Sequence, residues 1–270
     1  ALQDEPAEVR EWWTVFDDPV LTRLVHEAYE ENLSLRAAGL RVIQARAARG
    51  IAVGEFFPQE QAIQADYSRV QISENDRNNP PFYDFETVGL SFDATWELDF
   101  WGKFRRANAA ARANLIASEY GLKTVPLTLV ADVVSGYYEL LDFHRRLAIS
   151  QRTLESRSDS LKIIQQRFDK GIIAELDVNQ AEIQREIAAA AIPLYERTIS
   201  KTENRLSILL GRLPASVKVP ENLGVRASPP DVPVGVPADI LERRPDIAEA
   251  SFLLRAQTQN IGIAEALRWP

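Results

Sequence analysis

The sequence predicts a mainly α-helical chain that carries one long β-hairpin, and three observations predict it. Residues 88–100 alternate without a break: Val88, Leu90, Phe92, Ala94, Trp96, Leu98 and Phe100 are apolar, whereas Gly89, Ser91, Asp93, Thr95, Glu97 and Asp99 are small, polar or acidic. Such period-2 alternation marks a strand with one dry and one wet side, because successive side chains leave opposite faces. Upstream, SENDRNNPP (residues 73–81) is a turn cluster that would join this strand to a more raggedly alternating one over residues 60–72. Downstream, Val133, Leu140, Leu147, Leu154, Leu161 and Phe168 recur every seven positions, the spacing of a coiled-coil seam. The alternating stretch exceeds the usual strand of about 5 to 6 residues. It suits a strand crossing a bilayer at a tilt, roughly 9 to 11 residues, and also an edge-to-core strand of a soluble sandwich.

Taken in order, the elements begin with a helix from Asp18 to about Ala52, with Asp18 as cap, Pro19 at the first helical position and Asn32 as a break. After the hairpin and the motif DFWGKFRR (99–106), helical sequence runs for about 65 residues. At 1.5 Å per residue that helix is roughly 100 Å long. Gly171 in RFDKGIIAELDV (167–178) is placed to end it in the left-handed conformation, and Glu175 or Asp177 favours the start of the next helix. That second helix, about 175–210, carries Ile192, Ile199 and Leu206 at the same interval, with Tyr195 and Leu209 on a neighbouring line. The pair makes an antiparallel helical hairpin with an exposed tip. Pro126 and Pro193 fall inside these helices and should kink them or leave a carbonyl unpaired. The proline-rich residues 211–237 read as an extended connector, after which helix resumes at about Pro237 and runs to the end.

Composition narrows the function. The 270 residues are 46% hydrophobic with a formal net charge of -8, and no basic patch stands out to neutralise many phosphates. This argues against nucleic acid as a partner. No run of about 18 uncharged apolar residues occurs, so no transmembrane helix is expected, while a barrel remains open because each of its strands gives a weak signal. There is no cysteine, hence no disulfide and no thiolate metal site. The opening ALQDEP has neither methionine nor an apolar signal core, as expected of a processed or trimmed terminus. His26 and His144 lack acidic or histidine companions at ligand spacing and read as surface residues of helices, and no phosphate loop or metalloprotease motif is present. No catalytic, cofactor-binding or metal-binding residues are therefore expected.

Residues 32–58 and 244–270 align without a gap: Ala38 meets Ala250, Gly50, Ile51 and Ala52 meet Gly262, Ile263 and Ala264, and Pro58 meets Pro270. This implies a repeating unit of about 212 residues, of which the chain covers one copy plus the opening helix of a second. With WWTVFDDPVL (12–21), WELDFWGKFRR (96–106), GIIAELDVNQAE (171–182), AIPLYERTISKTENRLSILLGRLP (191–214) and VPADILERRPDIAEA (236–250) in this order, the sequence resembles the TolC-type outer-membrane factor family. It is most similar to the subgroup of lipoprotein channels, NodT-like, that serve resistance-nodulation-division efflux pumps. The lipid-bearing cysteine which that subgroup carries at its mature N-terminus is not in this sequence.

The resemblance implies a homotrimer in the bacterial outer membrane that extends into the periplasm, its strands forming a shared β-barrel and its helices an α-barrel. Along the chain it implies an N-terminal segment with the first helices (1–57), a transmembrane hairpin (58–101), a long helical hairpin with its tip at 167–178 (102–211), a connector (212–237) and the start of the second repeat (238–270). Val88, Leu90, Phe92, Ala94, Trp96, Leu98 and Phe100 would then face lipid, and Ser91, Asp93, Thr95, Glu97 and Asp99 the lumen. Trp96, Phe100, Trp101, Phe56 and Phe57 would suit an interfacial aromatic girdle, or simply a buried aromatic cluster. Arg167, Gly171, Ile172, Ile173, Ala174, Leu176, Asp177 and Val178 would meet a periplasmic adaptor, a membrane fusion protein, which couples to an inner-membrane resistance-nodulation-division transporter. A tight turn alone would account for Gly171 but not for apolar residues at the tip. The expected function is a passive multidrug exit duct with no cofactor. A soluble or periplasmic coiled-coil scaffold binding partners through the hairpin tip would explain the heptads, though not the alternation.

Overall fold

The computed structural model describes residues 11–71, 84–219 and 244–269. The polar turn expected at 73–81, most of the proline-rich connector and the helix start expected at Pro237 lie outside the described residues. A short 3-10 helix (Trp12–Phe16) leads into α1 (Pro19–Glu31) and α2 (Leu33–Gly54). Strands β1 (Glu60–Gln71) and β2 (Asp84–Thr95) follow, then α3 (Lys103–Asp169), α4 (Glu175–Leu209) and α5 (Pro245–Ala266).

The local chemistry behaves as predicted at most boundaries. The Asp18 carboxylate accepts from the Val20 and Leu21 amides and Pro19 opens α1. Asn32 separates α1 from α2: its backbone turns extended, and its side-chain Oδ1 accepts from the Leu35 amide at 2.8 Å, capping α2. Both prolines are carried inside unbroken helices, Pro126 in α3 and Pro193 in α4. Gly171 (φ +69°) ends α3 as expected: its amide bonds the Phe168 carbonyl and the Ile172 amide bonds the Arg167 carbonyl, a Schellman pair. Gly211 (φ +65°) repeats the arrangement after α4, with the Gly211 and Arg212 amides bonded to the Ile208 and Ser207 carbonyls.

The chain divides into two compact units, each drawn from two stretches of sequence. The first, from 1–38 and 122–237, has its core where α1 and the 3-10 helix meet the middle of α3 and the end of α4: Trp13, Leu21, Leu24 and Val25 against Val130, Val133, Tyr137, Leu140, Leu206 and Leu210. Gly136 allows the two long helices to close up, since a Cβ there would lie 2.9 Å from Leu206 Cδ2. The heptad seam is therefore unequal along its length. Val133 and Leu140 are fully buried, Leu147, Leu154 and Leu161 half-buried, and Phe168 is at the exposed end. His26 is exposed with its ring edge-on to Trp13, whereas His144 is half-buried rather than a surface residue.

The second unit, from 39–121 and 238–270, holds the strands, the first part of α3, most of α2, and α5. Its buried residues are mostly small, Ala110, Ala113, Ala117, Ala256 and Ala266, together with Phe104 and Leu115. Tyr120 stacks on Phe252 with ring centres 5.6 Å apart, and Trp101 on Trp269 at 5.4 Å. Helices α2 and α5 are both 22 residues long and begin and end at positions 212 apart, so the internal repeat read from the sequence is also a repeat of structure.

Candidate functional site

Two features stand out: the β-hairpin and the helical tip. The strands pair antiparallel over twelve rungs, from Glu60 opposite Thr95 to Gln71 opposite Asp84. Residues directly opposite share a face. One face thus carries Tyr67 with Val88, Ala65 with Leu90, Ile63 with Phe92 and Gln61 with Ala94, followed by Arg69 with Glu86 and Gln71 opposite Asp84. The other carries Ser68 with Thr87, Asp66 with Gly89, Gln64 with Ser91, Ala62 with Asp93 and Glu60 with Thr95, ending at Val70 with Phe85.

Among the described residues nothing covers the apolar face: Val88 and Leu90 are each 78% exposed, Ile63 76% and Phe92 65%. A two-stranded sheet with bare faces and bare edges is marginally stable at best in water. From Thr95, the last residue of β2, to the Glu86–Arg69 ion pair (3.8 Å) is nine residue steps, about 31 Å of strand or roughly 22 Å at a 45° tilt. That is close to the apolar band of about 25 Å on outer-membrane barrels. On the polar face the Asp66 carboxylate lies over Gly89, filling the space a Cβ would need.

The strand is shorter than the alternation suggested. The β2 strand stops at Thr95, so Trp96, Leu98 and Phe100 are not strand residues, and neither are Glu97 and Asp99. Their polar atoms have other work. The Trp96 indole donates to the Phe56 carbonyl at 3.2 Å, and the Glu97 amide donates to Gln59 Oε1 at 2.8 Å, closing the foot of the hairpin. Lys103 Nζ lies 2.9 Å from both Glu97 carboxylate oxygens. Asp99 starts α3, accepting from the Phe104 amide at 3.1 Å and the Arg105 amide at 2.9 Å, with Arg105 Nε at 3.2 Å. Phe57, Trp96, Phe100, Trp101 and Trp269 remain more than half exposed here, so they do not form a buried aromatic cluster. Gln59 carried no signal in the sequence beyond its place just before the first alternating run.

At the tip, Arg167, Gly171, Ile172, Ala174, Leu176 and Asp177 are exposed, and Ile173 and Val178 are half-buried. Ile172 (60%) and Leu176 (64%) put apolar surface where an isolated turn has no use for it. A Cβ on Gly171 would meet nothing within 4 Å, so its backbone angle alone requires glycine.

A buried clamp at the opposite end of α4 was not anticipated. Asn32, only 6% exposed, donates from Nδ2 to the Leu209 carbonyl at 2.8 Å, and Arg212 pairs with Glu27 at 2.9 Å. The GRLP motif thereby ties the end of the helical hairpin to the α1–α2 corner. In the RRPDI motif, Arg244 bonds Asp246 at 2.7 and 3.1 Å, and these bonds hold the Asp246 carboxyl below the usual carboxylate range. Among the described residues no cluster of His, Cys, Asp or Glu could hold a metal ion, and no helix is long and apolar enough to cross a membrane.

The sequence profile of the outer membrane efflux protein family matches residues 24–212. The chain belongs to this family. Nodulation protein T of Rhizobium leguminosarum bv. trifolii is 32% identical over 96% of this chain and 55% of its own length. The toluene efflux pump outer membrane protein TtgC of Pseudomonas putida is 31% identical over 99% of this chain and 55% of its length. Among solved structures, the outer-membrane channel OprN superposes with a TM-score of 0.77 at 31% identity, covering 94% of this chain and 57% of that one. The chain thus spans about half the length of the curated relatives it matches. Membership places this chain in the outer membrane, in a family of channels rather than enzymes, and its mainly helical fold with a two-stranded antiparallel sheet matches the fold of those channels.

Proposed function

We propose that the assembled protein is a passive exit duct, the outer-membrane component of a tripartite efflux system. The observation that carries this reading is the long hairpin with one bare apolar face, joined to a 67-residue helix. A scaffold in water has no use for that face. In this reading three copies pool their strands into one barrel. Val88, Leu90, Phe92 and Ala94 face lipid together with Ile63, Ala65 and Tyr67; Ser91, Asp93 and Thr95 face the lumen with Gln64 and Asp66. Trp96, Leu98 and Phe100 sit at the periplasmic interface, where exposed aromatic rings suit the headgroup layer. The α3–α4 hairpin reaches through the periplasm, and its tip, with Ile172 and Leu176 foremost, receives an adaptor that links to an inner-membrane resistance-nodulation-division pump. Drugs or other small molecules arrive through that pump, which selects them.

Asp66, Asp93 and Glu60 give the lumen face an acidic character that favours cations. Purified protein reconstituted in a planar bilayer under a salt gradient tests the reading. Open channels with a reversal potential on the cation side are expected, and a protein that carries no current, or that stays monodisperse and monomeric without detergent, refutes the duct.

A further inference from the structure

The two faces of the hairpin exchange character near its outer end. Down the polar face run Ser68 with Thr87, Asp66 with Gly89 and Gln64 with Ser91, yet the rung beyond them on that same face is Val70 opposite Phe85. On the apolar face the adjacent rung is the Arg69–Glu86 ion pair, both side chains more than half exposed. A strand that merely leaves a bilayer for water becomes polar on both sides, because neither side then gains from burying apolar surface. Here the pattern inverts instead. Phe85 (49% exposed) and Val70 (41%) form one apolar patch on the side that is otherwise wet.

We propose that Val70 and Phe85, repeated in each copy, form an apolar collar inside the outer mouth of the channel. The proposal rests on the duct reading, which makes this face the lumen. A ring of such side chains offers no substitute for an ion's hydration shell, so it resists hydrated ions while letting apolar solutes pass along it. The acidic rungs below attract cations, and the collar then limits the rate at which they leave. If the pair only stabilised the turn end of the hairpin, its exposure to the water path would be of no consequence.

Single-channel recording on protein purified from the outer membrane decides the matter. Phe85→Ser is expected to raise the unitary conductance above wild type. Phe85→Cys is expected to lose current in discrete steps when a thiol-reactive quaternary ammonium reagent is added, and these 270 residues contain no other cysteine. Glu86→Cys, one residue away on the opposite face, should keep its current under the same reagent. Should the Phe85 variants fail to assemble, Val70→Ser and Val70→Cys carry the same test. Channels that open normally, with conductance unchanged in the serine variant and no block of the cysteine variant, overturn the collar and leave the duct intact. A wild type that conducts nothing overturns both.

Discussion

At the residue scale, three positions show how one kind of local signal has different consequences in different surroundings. Gly171 and Gly211 both sit at positive φ and both end a long helix. Around Gly171 there is open space, whereas a Cβ on Gly211 would run into the Glu31 carbonyl. Gly171→Ala should therefore cost only the left-handed strain, about 1–2 kcal/mol. Gly211→Ala adds overpacking against backbone, for roughly 2–5 kcal/mol in all. Thermal unfolding of the two variants should rank them in that order, and equal losses would mean that the clamp at Gly211 yields easily. Asn32→Ala removes a helix cap and leaves the part-buried Leu209 carbonyl without its donor, a loss of about 2–4 kcal/mol. Asn32→Asp keeps the cap but not the donor, so it should recover part of the loss at most; full recovery would show that the bond to Leu209 contributes nothing. Gly171 and the Asn32 break were legible because they act on the backbone beside them, whereas Gly211 was read only as the start of the proline-rich connector. The bond from Asn32 to Leu209 crosses 177 positions of sequence and leaves no local trace.

At the element scale, the heptads correctly announced two long helices and their turn, but periodicity weights every seam position alike. Burial does not, because α1 and the 3-10 helix pack only around residues 129–141 of α3 and the last turns of α4. Leu140→Ala should cost about 2–5 kcal/mol, the range for a fully buried leucine, while Leu161→Ala, at a half-buried position, should cost clearly less. Chemical denaturation of the purified variants checks the ranking, and equal costs would mean that another surface covers Leu161 in the assembled protein. The same limit of local pattern explains the end of β2. Alternation runs on to Phe100, yet Glu97 is bound by Lys103 and Asp99 by the start of α3. The pattern could not show that those acids were already committed to the next element. At the tip, Ile172→Asp with Leu176→Asp should leave folding intact, since both side chains are exposed, and, in the proposed efflux assembly, should abolish co-purification of a periplasmic adaptor. Undiminished co-purification would move the contact elsewhere on the hairpin.

At the scale of the whole molecule, the chain does not complete the surfaces it presents. The hairpin has apolar residues with no protein over them and two strand edges with no neighbour among the described residues; in the proposed duct, lipid and further strands supply what is missing. Adjacent residues of β2 would then meet different solvents, and this gives the sharpest test of the duct. Phe92, opposite Ile63, lies in the middle of the apolar face, where an arginine costs about 2–4 kcal/mol at the bilayer midplane. Ser91, opposite Gln64, lies on the polar face, where an arginine stays hydrated. Phe92→Arg should thus deplete the protein from the outer membrane by about 30-fold or more, the factor that 2–4 kcal/mol sets. Ser91→Arg should insert at the wild-type level and move the reversal potential toward anions, since it sets a positive charge beside Asp66 and Asp93 on the lumen wall. Immunoblots of membrane fractions measure the first effect and bilayer recordings the second. Equal insertion of both variants would mean that the two faces do not separate lipid from water, and the duct would lose the observation on which it stands.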